Sequence, residues 1–260
     1  GGLVNGLRYV LRLLAGPLVD RYGFKKSLLA CFSIFCLGYL LIGLGGLPQG
    51  KPLVDALGAE VYMILALVVT AAGGSLIKPS IVGTVARTTT PDTKELGYSI
   101  YYMLVNLGGA IGPILALQVR ENLGISYVLV MSSATSLLLV VSTLIFYREP
   151  QRPADAPPPK TMAGVLADMF LVFGNLRFMS FLVIFSGFWA MFWHVFYALP
   201  FYVRDVLGFQ QFEIIETIDA WTIIIVTVPV TAIARRLSPL AAMIAGFVLA
   251  SASWFVMGAF

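Results

Sequence analysis

Eight long apolar runs constrain the fold of this chain more than any other feature. Each approaches the roughly 20 residues that an α-helix needs to cross a bilayer. The runs are too long for strands and contain glycines without strict alternation, which favours helices. They cover Leu3–Val19, Leu28–Leu47, Val61–Val85, Tyr98–Val119, Ser126–Tyr147, Phe178–Val203, Thr217–Ile233 and Leu240–Phe260.

The composition excludes a soluble protein of this size. Of the 260 residues, 59% are hydrophobic and 12% are charged, and the mean hydropathy is +0.90. Soluble domains average about 45–50% apolar and about 25% charged residues. A single core cannot enclose such an excess of apolar surface. We therefore expect an all-α, polytopic membrane helix bundle.

Basic residues are distributed unequally between alternate connectors. If the loop after the first run is cytoplasmic, cytoplasmic loops hold 11 of the 17 Lys and Arg residues and external loops hold 3. The positive-inside rule then predicts the orientation of every run. The net charge of +4 is thus explained by topology, and we expect no nucleic-acid partner. Cys31 and Cys36 share one run without metal-ligand spacing, so we predict no metal site.

A Pro-rich connector, Arg148–Lys160, separates five runs from three. Proline disfavours a packed helix here, and residues 161–176 predict a short amphipathic helix on the cytoplasmic surface. We predict an N-terminal helical half at 1–147, a linker with the surface helix at 148–177, and part of a C-terminal half at 178–260. Because the chain opens and stops inside apolar runs, we expect it to be incomplete at both ends.

The first cytoplasmic loop reads GPLVDRYGFKK from position 16. It closely resembles the loop between helices 2 and 3 of the major facilitator superfamily. The resemblance implies a conformational latch formed by Gly16, Asp20, Arg21, Gly23 and Lys25. Gly16 would permit close helix approach, Asp20 would meet a helix N-terminus, and Gly23 would supply a tight turn.

This resemblance also numbers the helices. If the first run is helix 2, the Pro-rich connector follows helix 6, where the superfamily joins its two six-helix halves. The chain would then hold helices 2–9, about eight of twelve. The resemblance implies a secondary active transporter that works by alternating access, not an enzyme, with no cofactor.

The third and fourth runs carry a second resemblance. Gly73-Gly74 through Lys78-Pro79, and Tyr101-Tyr102 through Asn106, are similar to motifs of the proton-dependent oligopeptide transporter family. The resemblance implies that Lys78 receives a peptide carboxylate and takes part in proton coupling. It also places Asn106, Tyr101 and Tyr102 at the substrate.

The residues themselves leave alternatives open. A lysine inside a span costs about 2.5–3.5 kcal/mol on insertion, so Lys78 predicts function, although its side chain could instead snorkel to the cytoplasmic face. Asn106 could bind a substrate or bond a neighbouring helix. Tyr101 and Tyr102 suit a cavity wall or an interface equally.

The sixth run departs from the peptide family. Trp193-His194 stand where that family often has Glu-Gln. We expect Trp193 to contact substrate. His194, the sole histidine, could carry the coupling proton because imidazoles titrate near neutral pH; a neutral, hydrogen-bonded histidine is the alternative. Gly108 to Pro113 also resembles the helix 5 motif of proton-coupled drug antiporters.

The predicted function is proton-coupled uptake of small peptides or similar solutes, with a drug or metabolite antiporter of the same superfamily as the alternative. The expected partners are a small-molecule substrate, protons and the lipid bilayer. We expect a monomer in the bacterial inner membrane.

Overall fold

The computed structural model describes residues 6, 11, 15–151, 161–234 and 236–259. The all-α prediction is confirmed, and no strand occurs in these ranges. The helices are α1 (residues 15–22), α2 (Phe24–Gly45), α3 (Lys51–Leu57), α4 (Ala59–Thr88), α5 (Lys94–Leu123), α6 (Ile125–Phe146), α7 (Met162–Phe173), α8 (Leu176–Asp205), α9 (Phe212–Ala234) and α10 (Pro239–Ala259).

Six of the described helices are long and apolar enough to cross a membrane: α2, α4, α5, α6, α8 and, from Leu240, α10. They correspond to six of the eight predicted runs. The predicted run Thr217–Ile233 lies within α9. Most of the first predicted run lies outside the described residues, including its two arginines, Arg8 and Arg12. The connector residues 152–160 also lie outside them.

The external connector after α2 contains structure that the runs did not predict. A 3-10 turn at Pro48–Gly50 leads directly into α3. Pro52 lies in the first turn of α3, where its missing N–H has no helical acceptor to lose. The segment was missed because it is too short to show a periodic pattern.

The first compact unit comprises Gly1–Tyr102 and Leu115–Gly174, and α2 is its central helix. α2 packs against both α4 and α6. Small residues permit the close approach: a Cβ at Gly38 would clash with Thr70, and one at Gly73 would lie 3.2 Å from the Cys31 carbonyl oxygen. The apolar centre contains Leu28, Cys31 and Phe32.

The second compact unit comprises Met103–Ile114 and Asn175–Phe260. Aromatic rings follow one another along α8, and the ring of Phe188 also lies 5.2 Å from that of Phe247 on α10. The middle of α5 approaches α9, since a Cβ at Gly109 would lie 3.5 Å from the Ala220 Cβ. The predicted division into halves at 148–177 stays a prediction.

Candidate transport site and latch loop

The predicted tight turn of the latch loop (residues 16–26) is present at Gly23. Its φ of +85° lies in the left-handed region that favours glycine. Gly23 separates α1 from α2 at the predicted cytoplasmic end. The backbone conformation explains why the motif needs glycine at this position.

Asp20 pairs with the end of α4. Its Oδ1 lies 3.8 Å from Nη2 of Arg87, which belongs to the last turn of α4. The Arg87 guanidinium also lies 4.4 Å from the ring centroid of Phe24, and Phe24 is buried. Arg87 therefore joins the latch loop to α4 through an ion pair with Asp20 and a cation–π contact with Phe24.

The predicted contact of Asp20 with a helix N-terminus is not seen among the described residues. The N-terminus of α2 is occupied by another carboxylate, that of Glu149. The Phe24 N–H donates to Oε1 at 2.7 Å and the Lys25 N–H donates to Oε2 at 2.6 Å. Gly23 has no side chain with which to cap α2, so an acceptor from elsewhere satisfies these donors.

Lys25 contacts α6 in return. Its Nζ donates to the Leu144 carbonyl oxygen at 3.1 Å, in the last turn of α6. Just beyond α6, the Tyr147 hydroxyl and Thr84 Oγ1 are hydrogen bonded at 2.6 Å. The Thr84 hydroxyl donates to the Ser80 carbonyl oxygen, so the Tyr147 hydroxyl is the donor to Thr84.

The other two latch residues make fewer contacts. A Cβ at Gly16 would meet no heavy atom within 4 Å among the described residues, so the predicted close approach is not seen there. The Arg21 guanidinium lies 5.7 Å from the ring centroid of the adjacent Tyr22. Arg21 lies in the last turn of α1, whereas Gly16 lies about two turns before Gly23.

Lys78 lies in the interior of α4, ten residues before the helix ends at Thr88. At 1.5 Å per residue this is roughly 15 Å of helix. Its side chain is exposed, whereas Gly73, five residues earlier, faces α2. It forms no hydrogen bond or ion pair with any described residue. Lys78 is thus available to an anionic partner.

The α5 candidates belong to two different units. Tyr101 and Tyr102 are in the first unit, with ring centroids 5.2 Å apart and planes at 58°. Asn106 is in the second unit, half-buried and engaged in an interaction. The roles of all three at a substrate remain predictions.

His194 and Trp193 lie on α8. The Trp193 ring packs against Phe192 and Phe196, with centroids 5.9 and 5.6 Å away. His194 lines a cavity of about 250 Å³ together with Ala190, Met191 and Trp254. It forms no hydrogen bond with any described residue, and both interpretations of His194 stay predictions.

A second cavity of about 270 Å³ adjoins Met191 on the same side of α8. It is lined by Ile184, Gly187, Phe188, Met191, Phe247 and Ser251. Both cavities are shallow and have apolar walls with few polar groups. Glu149, Arg87, Tyr147 and the cavity residues of α10 were missed by the sequence reasoning, because their partners are distant in the chain.

The Major Facilitator Superfamily profile matches residues 7–260, nearly the whole chain. The chain therefore belongs to the Major Facilitator Superfamily, as the latch loop predicts. It is an integral, multi-pass membrane protein of a transporter family, and such transporters are not enzymes.

Relatives within the family are remote. The chain is 24% identical to an uncharacterized MFS-type transporter of Mycobacterium tuberculosis, over 84% of this chain and 49% of that protein. It is also 24% identical to Multidrug resistance protein MdtH of Aeromonas salmonicida, over 80% of this chain and 48% of that protein. The chain thus spans about half the length of the curated relatives it matches.

Proposed function

We propose that this chain forms part of a proton-coupled antiporter that exports small apolar or amphipathic molecules by alternating access. We place it in the bacterial inner membrane as a monomer. One observation carries the proposal: His194 lines an apolar cavity together with Ala190 and Met191 of α8 and Trp254 of α10. The remote relationship to Multidrug resistance protein MdtH supports the same class of substrate.

A row of aromatic rings lies on the side of α8 away from His194, and Phe188 connects this row to the second cavity. Stacked or edge-on ring pairs join Phe185, Phe188, Trp189 and Phe192 along α8. Trp189 is exposed, so this surface offers ring faces and edges to a ligand. Flat aromatic or apolar molecules gain most from such contacts. A peptide ammonium group would require a carboxylate, and α8 has Trp193-His194 where the peptide family often has a glutamate.

His194 supplies a group that can exchange protons within this apolar wall. An imidazole changes charge near neutral pH, and a charged form is costly next to apolar side chains. Binding of an apolar ligand beside His194 would therefore favour the neutral imidazole. This opposition between ligand and proton is what antiport requires.

Proton-coupled peptide uptake is the second candidate, and Lys78 favours it. An exposed lysine inside α4, free of described partners, suits a peptide carboxylate. In this candidate Lys78 also takes part in proton coupling, with Asn106, Tyr101 and Tyr102 beside the substrate. An acidic aromatic substrate would use the same charge, so Lys78 has a role in either candidate.

Transport by the protein that carries this sequence, reconstituted in liposomes, separates the two candidates. A proton gradient directed out of the liposomes should drive accumulation of rhodamine 6G, while an inward gradient should not accumulate labelled dialanine. Lys78→Gln should be compared with Lys51→Gln, which removes the same charge from an external helix. Dialanine accumulation that Lys78→Gln abolishes would favour the peptide candidate and overturn export.

A further inference from the structure

We propose that Glu149 and Lys25 form a reciprocal clamp between α2 and α6 that fixes the start of the connector to the latch loop. The proposal does not depend on which substrate is transported. Glu149 lies just after α6 and caps α2, whereas Lys25 lies in the first turn of α2 and binds the end of α6. Each helix end thus receives a charged side chain from the other element.

The signs of the two charges match the helix ends that they contact. The first N–H groups of a helix carry partial positive charge and the last carbonyl groups carry partial negative charge. Glu149 meets N–H groups of α2, and Lys25 meets the Leu144 carbonyl group of α6. α2 begins and α6 ends at the predicted cytoplasmic side, so both contacts stabilise the same edge of the first unit.

The geometry shows that the acceptor site suits a carboxylate in particular. Two adjacent N–H groups are satisfied by two oxygens of one group, at 2.7 and 2.6 Å. Charged acceptors form shorter and stronger hydrogen bonds than neutral ones. A glutamine would keep one acceptor oxygen and turn an NH₂ group toward the other N–H, so charge and one hydrogen bond would both be lost.

Gly23 leaves room for this carboxylate. A Cβ at position 23 would lie 3.0 Å from Glu149 Oε1, which is too close for an ordinary contact. The same glycine adopts φ +85°. The glycine of the latch motif therefore has two tasks in this chain: it permits the turn, and it admits a side chain from beyond α6.

Neighbouring contacts extend the clamp to α4. Tyr147, two residues before Glu149, is hydrogen bonded to Thr84. One turn further along α4, Arg87 pairs with Asp20 and lies over Phe24. The chain just after α6 and the latch loop are thus held at the same end of α4, and displacement of either segment breaks contacts of the other.

Hydrogen–deuterium exchange of the membrane-reconstituted protein tests the clamp at single segments. Glu149→Gln should speed exchange of the Phe24 and Lys25 amides roughly tenfold, as expected for loss of a charged hydrogen bond. Glu95→Gln is the matched control, because Glu95 is an exposed glutamate in the first turn of α5. It should leave these amides unchanged.

Reciprocity distinguishes a clamp from two independent contacts. Lys25→Met leaves the carboxylate cap in place, yet it should speed exchange of the Tyr147 amide, which donates to the Thr143 carbonyl oxygen at the end of α6. Glu149→Asp keeps the charge on a shorter side chain and should give intermediate exchange at 24–25. Unchanged exchange at 24–25 in Glu149→Gln, or at Tyr147 in Lys25→Met, would overturn the proposal. So would a uniform increase that included α10, which would indicate general destabilisation.

Discussion

The two compact units differ in how their membrane-length helices are packed. In the most apolar stretches of α2 and α4, 28% and 39% of residues are buried within the structure, whereas none are buried in those of α8 and α10. α2 and α4 meet through Gly38, Thr70 and Gly73. α8 instead displays a succession of large rings. Small residues let the backbones of two helices approach closely, so that van der Waals contacts between the helices replace contacts with lipid.

This difference in packing suggests that the two units have different functions. The first unit is a closely packed support that holds the latch loop, the end of α4 and the start of the connector together. The second unit, which the sequence predicts to be part of a C-terminal half, carries a row of rings along α8 and apolar cavities between α8 and α10. Three pairs of substitutions and one single substitution test this division. Each is measured in the protein that carries this sequence.

The largest loss of stability is expected when a large side chain is placed between α2 and α4, where their backbones lie close together. Gly38→Leu would drive a side chain into Thr70, so we expect a loss of at least about 3 kcal/mol of stability or failure to fold. Gly246→Leu in α10 is the matched change, because a Cβ there would meet no heavy atom of the described residues within 4 Å. Thermal unfolding in detergent measures both. Equal losses of stability in the two variants would contradict the proposed difference in packing between the units.

Deleting one ring from each unit should also give unequal results. Phe24 is buried beneath Arg87, so Phe24→Ala should cost about 3–5 kcal/mol. Phe188 is half-buried in a row of rings, so Phe188→Ala should cost about 1 kcal/mol while weakening ligand binding. Unfolding midpoints and dye-binding titrations would show this. A stability loss at Phe188 as large as that at Phe24 would contradict the division.

The hydrogen bond between α4 and the segment after α6 should contribute less. Tyr147→Phe removes the hydroxyl that bonds Thr84, and the expected cost is about 1 kcal/mol. Tyr127→Phe, on the exposed part of α6, serves as the control. Chemical unfolding would report the difference, and no loss at Tyr147 would mean that water replaces the bond.

The smallest stability effect is expected at Asp20. Its side chain is 59% exposed and lies 3.8 Å from Arg87, and exposed ion pairs contribute about 0–1 kcal/mol. Asp20→Asn should therefore leave the unfolding temperature nearly unchanged but reduce transport if the pair serves the latch. Unaltered transport rates would place the pair outside the transport cycle.

Long apolar runs predicted the membrane helices well because span length is fixed by bilayer thickness. The positive φ of Gly23 was likewise predictable, since the turn is local to the latch motif. Contacts between distant segments were not. Glu149 caps α2 at a residue 125 positions away in the chain. Nothing in the local sequence at 148–151 (REPQ) indicates that it caps a helix. Asp20 was expected at a helix N-terminus but pairs with Arg87, because α4 ends beside the latch loop.

The candidate site was predicted only in part. Lys78 stood out because a charge in an apolar run is costly, and His194 because it is the sole histidine. The cavity that His194 shares with Trp254 depends on how α8 lies beside α10, which no local pattern encodes. Likewise, Gly109 approaches α9 whereas Gly108 and Gly112 meet no heavy atom within 4 Å among the described residues. A glycine pattern alone does not distinguish these roles.

Proton release on ligand binding tests the central claim most directly. Rhodamine 6G would be added to the detergent-solubilised protein in weakly buffered solution near neutral pH, and the pH change would be recorded beside His194→Gln. Antiport through His194 predicts that ligand binding acidifies the solution and that His194→Gln binds the dye without releasing protons. Dye binding to the unsubstituted protein with no proton release would contradict the proposal that ligand and proton compete at this site.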